Sequence, residues 1–155
     1  MNLFATSSDP VQSAKYLDDK KVVKMCLETA QILATATVIN GGEASYRPTH
    51  QRHPVVLWTS KTRGNYWWTF QHFLALLAEY EYRYQKTHKS AELLDELLVG
   101  LQLAPSGGLE PHPNCARNSA MGIDYSDHPD VYDAYKLYLS DRWETDKREP
   151  TWTGY

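Results

Sequence analysis

The segment from Tyr16 to Gln31 limits the possible folds more than any other part of the chain. From Val22 onward, apolar side chains recur at steps of three and four residues: Val22, Val23, Cys26, Leu27, Ala30 and Leu33. At about 100° per residue, this spacing gathers them on one broad face of an α-helix. The opposite face carries polar side chains: Lys21, Lys24, Glu28, Gln31 and Thr35. The pattern predicts a core helix with one charged face.

The Lys24–Glu28 pair on this helix has two interpretations. A carboxylate among lysines, on a helix that the core holds rigid, is typical of an acid/base site. A separation of four residues is also typical of an ion pair on a solvated helix surface. The spacing alone favours the surface ion pair, so the choice depends on the rest of the chain.

Length and composition predict one domain. A chain of 155 residues can bury one good core and is short for two. No apolar run approaches the roughly 18 residues that a membrane span needs. The first residues, MNLFATSSDP, have neither the basic nor the apolar region of an export signal. We therefore expect a soluble, cytoplasmic protein that does not bind a membrane.

The cysteines and histidines are not spaced as a metal site. Cys26 lies on the apolar helix face, Cys115 lies in a loop, and no CxxC occurs. His50 and His53 form an HxxH pair, but zinc needs three or four ligands and the other histidines lack partners at ligand spacing. We expect a buried Cys26 thiol, no metal and no cofactor.

Basic side chains are concentrated in the middle of a slightly acidic chain. A net charge of −3 argues against a protein that coats nucleic acid by bulk electrostatics. The segment RPTHQRHP and the residues after it nevertheless bring together several cationic and imidazole groups: Arg47, His50, Arg52, His53, Lys61 and Arg63. Arginine forks match phosphate oxygens, so phosphate contact in a local cleft is one interpretation. A polar surface loop closed by Pro54 is the other.

The rest of the chain predicts helices joined by long irregular loops. Asp9-Pro10 predicts the start of a short first helix, and Gly41-Gly42 the end of the core helix. Further helices are predicted in three segments, 61–84, 90–101 and a last one after Asp127. A stretch rich in Gly, Pro and Asn, residues 103–122, lies between the last two. We expect an all-α fold, a compact single-domain helical bundle with long irregular loops.

Aromatic residues are abundant, with five Trp and eleven Tyr. In the helix predicted over 61–84, Trp67 shares the apolar stripe, whereas Trp68 lies off it. Trp152 lies in the tail PTWTGY, far from the predicted core helices. An aromatic side chain in such a place either stacks on extruded bases or fixes the tail to its own domain.

Four segments occur in an order and spacing similar to those of the pyrimidine-dimer DNA glycosylases, a family typified by a phage enzyme: DDKKVVKMCLETAQIL, YRPTHQRHPVVLW, EYEYRY and PTWTGY. In that family a helix begins with an Asp and carries its catalytic glutamate nine residues later, the spacing of Asp19 and Glu28. The family's aromatic tail lies against DNA near the lesion, and it resembles the segment around Trp152. The resemblance implies that residues 1–155 form one helical domain that flips a base of duplex DNA, cleaves the glycosidic bond and nicks by β-elimination without a metal.

The beginning of the chain departs from the family pattern. The family's nucleophile is the α-amino group of a threonine that is exposed when the initiator Met is removed. This chain begins Met1-Asn2, and Met before the larger Asn is usually retained. The candidate nucleophiles are therefore the Met1 amine and the side chains of Lys21 and Lys24, and a lysine needs burial or a cationic neighbour to lower its pKa.

A second departure lies on the core helix. Two arginines of the family's catalytic helix correspond here to Leu27 and Gln31, which removes positive charge from the pocket and leaves open a changed substrate.

These residues lead to one working hypothesis. The DNA surface comprises Arg47, His50, Arg52, His53, Lys61, Arg63, Gln31 and Trp152. The loop around Gly107 and Gly108 also contacts the distorted step, and Glu28 acts at the sugar, stabilising positive charge and later taking a proton. We expect a monomer that acts on damaged or modified pyrimidines in duplex DNA. The alternatives are a phage-type enzyme that modifies thymine without cutting DNA, and a non-catalytic module that binds DNA or a host protein.

Overall fold

Six α-helices form most of the computed structural model, which describes residues 1–155. They are α1 (Pro10–Tyr16), α2 (Asp19–Ile39), α3 (Pro54–Lys61), α4 (Arg63–Tyr84), α5 (Leu94–Leu103) and α6 (Val131–Thr145). Two 3₁₀ turns cover Lys89–Leu93 and Ser119–Met121. A small antiparallel pair, β1 (Arg117–Asn118) and β2 (Ile123–Asp124), is the one sheet. The expected all-α class is confirmed.

Side-chain caps explain where α1 and α4 begin. The Asp9 carboxylate accepts the Val11 N–H at 2.8 Å, one residue before the helix begins with proline. Thr62 has an extended backbone and accepts the Asn65 N–H at 3.0 Å. Because Thr62 caps α4, the helix expected over 61–84 begins at Arg63, and a separate helix α3 precedes it.

Helix α2 packs against α3, α4 and α5, and its inner face is rotated from the predicted one. Val23 and Leu27 are exposed, although they were expected in the core. Thr35 is fully buried and was expected on the polar face. Its hydroxyl donates to the Gln31 carbonyl at 2.8 Å, which satisfies its polar group inside the fold.

Helix α2 is also long and apolar enough to cross a membrane by length and composition. Its most apolar 18-residue window has a mean hydropathy of 1.4, and 61% of that window is buried inside the fold. The expectation that no apolar stretch reaches this length is therefore wrong. Because neighbouring helices cover most of the window, α2 has the burial of a core helix.

Two neighbouring tryptophans of α4 differ in burial in the opposite sense to the one expected. Trp68 is buried, and its indole N–H donates to the Ser8 carbonyl at 2.8 Å. Trp67 is exposed and stacks on Phe70, with ring centroids 6.0 Å apart. The cause is the contact between α1 and α4, which covers the face of α4 that carries Trp68. That contact is not visible in the periodicity of α4 alone.

Candidate functional site

The α-amino group of Met1 lies beside the Glu28 carboxylate. The Met1 nitrogen is 3.5 Å from Glu28 Oε1, and the two side chains are only 3% and 16% exposed. The residues after Met1 enter the core, where Leu3 and Phe4 are buried. The fold therefore brings a primary amine and a carboxylate together at a half-buried position.

The ion pair expected between Lys24 and Glu28 is not formed. Lys24 is absent from the four ion pairs of the structure, which are Met1–Glu28, Lys61–Glu110, Arg83–Asp19 and Arg83–Glu79. Lys24 is exposed, whereas the Glu28 carboxylate faces the Met1 amine. The ion pair that the spacing of four residues favoured is therefore wrong, because Glu28 pairs with the terminal amine and not with Lys24.

Two adjoining cavities meet at the amine and the carboxylate. The first has a volume of about 290 Å³. Its lining includes Met1, Lys21, Lys24, Glu28, His53, Arg117 and Arg142. The second, of about 360 Å³, is lined by Met1, Lys24, Leu27, Glu28, Gln31 and His50. Because Met1, Lys24 and Glu28 line both, the amine and carboxylate are reachable from either side.

Positive charge dominates the first cavity, and Glu28 is the one carboxylate that lines it. Lys21, Arg117 and Arg142 have no ion-pair partner in the structure. Burial lowers the pKa of Lys21, and the charges of Arg142 and Lys24 lower it further. Cations that outnumber the carboxylates in a concave site attract an anion. The site is thus suited to a nucleic-acid backbone, although the whole chain is acidic.

The imidazole of His53 is part of the helix start as well as of the cavity. Its Nδ1 accepts the Val55 N–H at 3.1 Å and so caps α3. Burial lowers the pKa of His53, and the N-terminal amine and His50 lower it further. A neutral His53 follows at neutral pH, because a lowered pKa lies below its usual value of about 6.5. His50, on the same loop, has a left-handed backbone with φ of 49° and lines the second cavity.

A third cavity extends the site into a groove. It has a volume of about 570 Å³ and shares Leu27 and Gln31 with the second cavity. Arg47 and Lys89 add positive charge at its far end. Arg52 is exposed on the same loop. The three cavities, called the amine groove below, therefore contain most of the DNA-binding residues expected from the loop.

Lys61 and Arg63 do not line the amine groove. Lys61 Nζ lies 3.1 Å from Glu110 Oε2 and forms an ion pair there. Arg63 donates to the carbonyls of Gln102 and Ala104 at 3.1 and 3.0 Å, at the end of α5. These groups are held by local partners, so nearness in sequence to the basic loop did not bring them to the groove.

Trp152 is docked on its own protein. Its indole N–H donates to the Tyr16 carbonyl at 3.0 Å, and its ring meets that of Trp143 at 5.2 Å and 80°. The flanking Thr151 and Thr153 hydroxyls donate to Asp19 at 2.7 and 2.6 Å. Of the two interpretations of Trp152, this geometry favours the one in which it fixes the tail.

Sequence reasoning missed Arg117 and Arg142. Arg117 lies on β1, within a stretch expected to be a loop, and only the folding of that stretch brings it to the groove. Arg142 had a local signal. It lies three and four residues after the buried Leu139 and Tyr138, so it continues the inner face of α6.

The structure has no group of three or more His, Cys, Asp or Glu side chains placed to hold a metal ion. Cys26 is buried, and burial raises the pKa of its thiol to about 12. It is therefore an inert core thiol, as expected from its helix face.

Comparison with known proteins gives one match. A family model described as pyrimidine dimer DNA glycosylase matches residues 1–93, which contain Met1, Glu28 and the basic loop. No curated protein and no solved structure matches the chain. The matched part extends from the first residue through α4 to the 3₁₀ turn at Lys89–Leu93 and is more than half of the 155 residues. This chain belongs to the pyrimidine dimer DNA glycosylase family.

Proposed function

We propose that this protein excises pyrimidine dimers from duplex DNA and cleaves the strand at the resulting abasic site, with the Met1 amine as nucleophile. Membership of the family supports the substrate, which is DNA that contains pyrimidine dimers. The single observation that carries the mechanism is the distance of 3.5 Å between the Met1 nitrogen and Glu28. An amine next to a carboxylate, in a cationic cavity, is suited to imine chemistry at a sugar carbon.

The first step of the proposed reaction joins the Met1 nitrogen to C1′ of the damaged nucleotide. The ammonium of the Met1–Glu28 ion pair first gives up a proton to water, and the neutral amine then supplies the electron pair. The glycosidic bond breaks, its electrons leave with the base, and the base takes a proton from water. Positive charge develops on the sugar, and the ionised Glu28 stabilises it at short range. Loss of a proton from nitrogen and opening of the sugar ring leave an imine between Met1 and the deoxyribose.

The second step breaks the strand. Glu28 takes a proton from C2′, a double bond forms between C2′ and C3′, and the 3′ phosphate leaves with the C3′–O electrons. Water then hydrolyses the imine and restores the free amine. One carboxylate serves both steps because it stays within reach of the nitrogen that holds the sugar.

Met1 is a better candidate than either lysine. Lys24 is exposed and makes no ion pair with Glu28. Lys21 is partly buried and its pKa is lowered, as a reactive lysine requires, but its Nζ lies over the Phe4 ring at 5.1 Å from the centroid. The terminal amine alone lies beside the carboxylate.

Phosphate contacts are assigned to the cations of the amine groove. Arg117 and Arg142 have no acidic partner in the protein, and Arg47 and Lys89 line the other end of the groove. Such contacts position a duplex without reading its sequence. They support binding of a distorted backbone around the amine.

Borohydride trapping tests this proposal. The protein is incubated with end-labelled duplexes that carry a cyclobutane pyrimidine dimer or an abasic site, and borohydride is added. We expect a covalent protein–DNA band and a nick, and peptide mapping should place the adduct on Met1. DNA binding without a trapped band or a nick would contradict the lyase, and a changed base mass without strand breakage would indicate base modification instead.

Glu28→Gln gives a second test at the carboxylate. The amide keeps the size of the side chain but cannot take a proton, so we expect a loss of turnover of about 100-fold or more with unchanged DNA affinity. Glu43→Gln is the matched control, because Glu43 is exposed, forms no ion pair and lies outside the groove. Loss of DNA binding together with turnover in Glu28→Gln would show that Glu28 is structural.

A further inference from the structure

The side chain of Asn2 makes three hydrogen bonds at the beginning of the chain. Its Oδ1 accepts the backbone N–H groups of Leu3 at 2.9 Å and Phe4 at 3.1 Å. Its Nδ2 donates to the Cys115 carbonyl at 3.2 Å, two residues before β1. Asn2 is only 8% exposed. This one amide therefore closes a tight turn and ties that turn to a distant segment.

The turn contains an unfavourable backbone conformation at Phe4. Phe4 has φ of 51°, the left-handed region that residues with a Cβ rarely adopt. Its ring is held by Tyr135 and Tyr138 of α6, with centroids 6.1 and 5.7 Å away. Such a conformation persists only where the surroundings fix it, and the Asn2 Oδ1 bond to the Phe4 N–H is one of the contacts that do so.

The residue before the turn is fixed as well. The Met1 side chain is 3% exposed and packs on the core, while its nitrogen faces Glu28. The Cα of the next residue lies about 3.8 Å from that of Met1, so an amine on residue 2 would be displaced from Glu28. The site is thus built for an amine on residue 1 and depends on the geometry of residue 2.

We infer that Asn2 is a positioning residue for the reaction, because its side chain holds the turn that directs the Met1 amine at Glu28. The inference rests on the proposed function. Asn2 lines the first cavity beside Met1, but the hydrogen bonds of its side chain go to the backbone of Leu3, Phe4 and Cys115 and not to Glu28 or the cations. We therefore assign its effect to the position of Met1. A well-oriented nucleophile needs no reorganisation before attack, and a displacement of about 1 Å can cost about 100-fold in rate.

Two substitutions separate the bonds of Asn2. Asn2→Asp keeps an oxygen that accepts from Leu3 and Phe4 but cannot donate to the Cys115 carbonyl. Asn2→Leu has the same branched shape and the same number of side-chain heavy atoms and makes none of the three bonds. Both side chains are large, as Asn is, so Met1 is expected to be retained, and intact-mass measurement verifies this before any assay.

The measurement is the rate at which each variant forms the borohydride-trapped complex on abasic duplex at saturating DNA, together with kcat and KM for nicking. We expect Asn2→Leu to lose about 10- to 100-fold in trapping rate and kcat with KM unchanged. Asn2→Asp should recover part of the rate, because its oxygen still closes the turn. Asn40→Leu is the control, since it removes one bond of similar type, to the Ser60 carbonyl, at the end of α2. Its trapping rate should equal that of the unaltered protein.

Each outcome separates the inference from the proposed function. If the unaltered protein forms no adduct on Met1, the proposed function fails and the inference fails with it. If the adduct forms on Met1 but Asn2→Leu traps at the unaltered rate, only the inference is overturned. It is also overturned if Asn2→Leu loses trapping rate only because the variant unfolds or binds DNA more weakly, which its melting temperature and DNA affinity report. The same holds if Asn2→Asp recovers none of the rate.

Discussion

Lys21 and Lys24 show how differently two lysines of one helix can be used. Lys24 is exposed, whereas Lys21 is partly buried over the Phe4 ring. Burial, Arg142 and Lys24 lower the pKa of Lys21, in that order. A bound phosphate would therefore stabilise the charge of Lys21, because burial disfavours that charge and no carboxylate forms an ion pair with it.

We predict that Lys21→Met weakens binding of abasic duplex more than Lys24→Met and that neither abolishes borohydride trapping. Met keeps most of the apolar stem, so packing is largely preserved. The loss of one phosphate contact should reduce the slope of log K against log salt by about 1 for Lys21→Met. The measurement is a salt titration of DNA affinity with trapping in parallel. Full binding without trapping in Lys21→Met would make Lys21 the nucleophile.

At the level of single residues, the sequence predicted Glu28, Met1 and the basic loop as candidate site residues but did not predict their mutual arrangement. The helical spacing placed Glu28 beside Lys24, yet the ion-pair partner came from the chain terminus, which no helical periodicity can show. The predicted burial of Trp67 and Trp68 was reversed for a similar reason, because it depends on where α1 packs. Long-range packing decided each of these cases.

Among the elements, the C-terminal tail acts as a clasp across the beginning of α2 and the end of α4. Asp19 accepts hydrogen bonds from Thr151 and Thr153 and pairs with Arg83 at 3.2 Å. Tyr155 donates to Glu79 at 2.9 Å. The first residue of α2 is therefore held by the last residues of the chain, which the sequence order alone does not indicate.

We predict that Trp152→Ala lowers the free energy of unfolding by about 1 to 3 kcal/mol, because the indole is partly buried against Trp143 and bonded to the Tyr16 carbonyl. DNA affinity should change by less than about twofold, since the loss is in folding and not in contacts. Thermal unfolding and a DNA titration measure the two effects. Trp67→Ala is the comparison, because Trp67 is an exposed tryptophan outside the clasp.

The opposite result would indicate that the tail binds DNA. An unchanged melting temperature for Trp152→Ala with affinity reduced tenfold would mean that the indole leaves Tyr16 and stacks on the duplex. The clasp would then be a resting arrangement, and the resemblance of the tail to the DNA-contacting tail of the family would extend to its role.

Helix boundaries were the most predictable elements. Asp9-Pro10 and the glycines at 41 and 42 marked the ends of α1 and α2 within a residue or two. The helix expected from Lys61 begins two residues later, at Arg63, because Thr62 has an extended backbone and caps α4. The helical conformation of α3 was not predicted. The hairpin of β1 and β2 was missed because strands of two residues have no periodicity.

Across the whole molecule, charge is distributed in a way that net charge conceals. The chain has a net charge of −3, yet only one carboxylate lines the first cavity with its cations. The composition argued against bulk binding of nucleic acid and left a local cleft open. The lysine and arginine side chains of that cleft come from three separate parts of the chain, α2, β1 and α6, so only the fold could show it.

Two buried histidines connect the helices on another side of the molecule. His72 of α4 donates from Nδ1 to the Pro10 carbonyl at 2.9 Å, and Trp68 stacks on it at 5.2 Å. His112 packs between Trp58 and Trp68 at 4.5 and 4.3 Å. The Nε2 atom of each ring is buried without a hydrogen-bond partner, so a second proton would find no acceptor. Burial lowers the pKa of both to about 4.

We predict that these histidines make the fold sensitive to acid. Above pH of about 6.5 both rings are neutral in the folded and the unfolded chain, so their contribution is complete there. As pH falls from about 6.5 toward 4, the unfolded chain binds protons that the folded chain does not, and stability decreases. A pKa of about 4 in place of the usual 6.5 corresponds to a loss of about 3 kcal/mol of unfolding free energy for each ring at the acid end.

His72→Asn tests this, since an amide at this position can donate to the Pro10 carbonyl without titrating. The variant should be less stable than the unaltered protein at pH 8, because a smaller side chain leaves space in the core. Between pH 6.5 and 4 the unfolding free energy of the variant should fall less steeply, because its unfolding takes up as much as one proton fewer. The carboxylates contribute equally to the slopes of both proteins. Denaturant unfolding across this range measures both slopes. Parallel curves would mean that His72 is already protonated in the folded protein, which its apolar surroundings argue against.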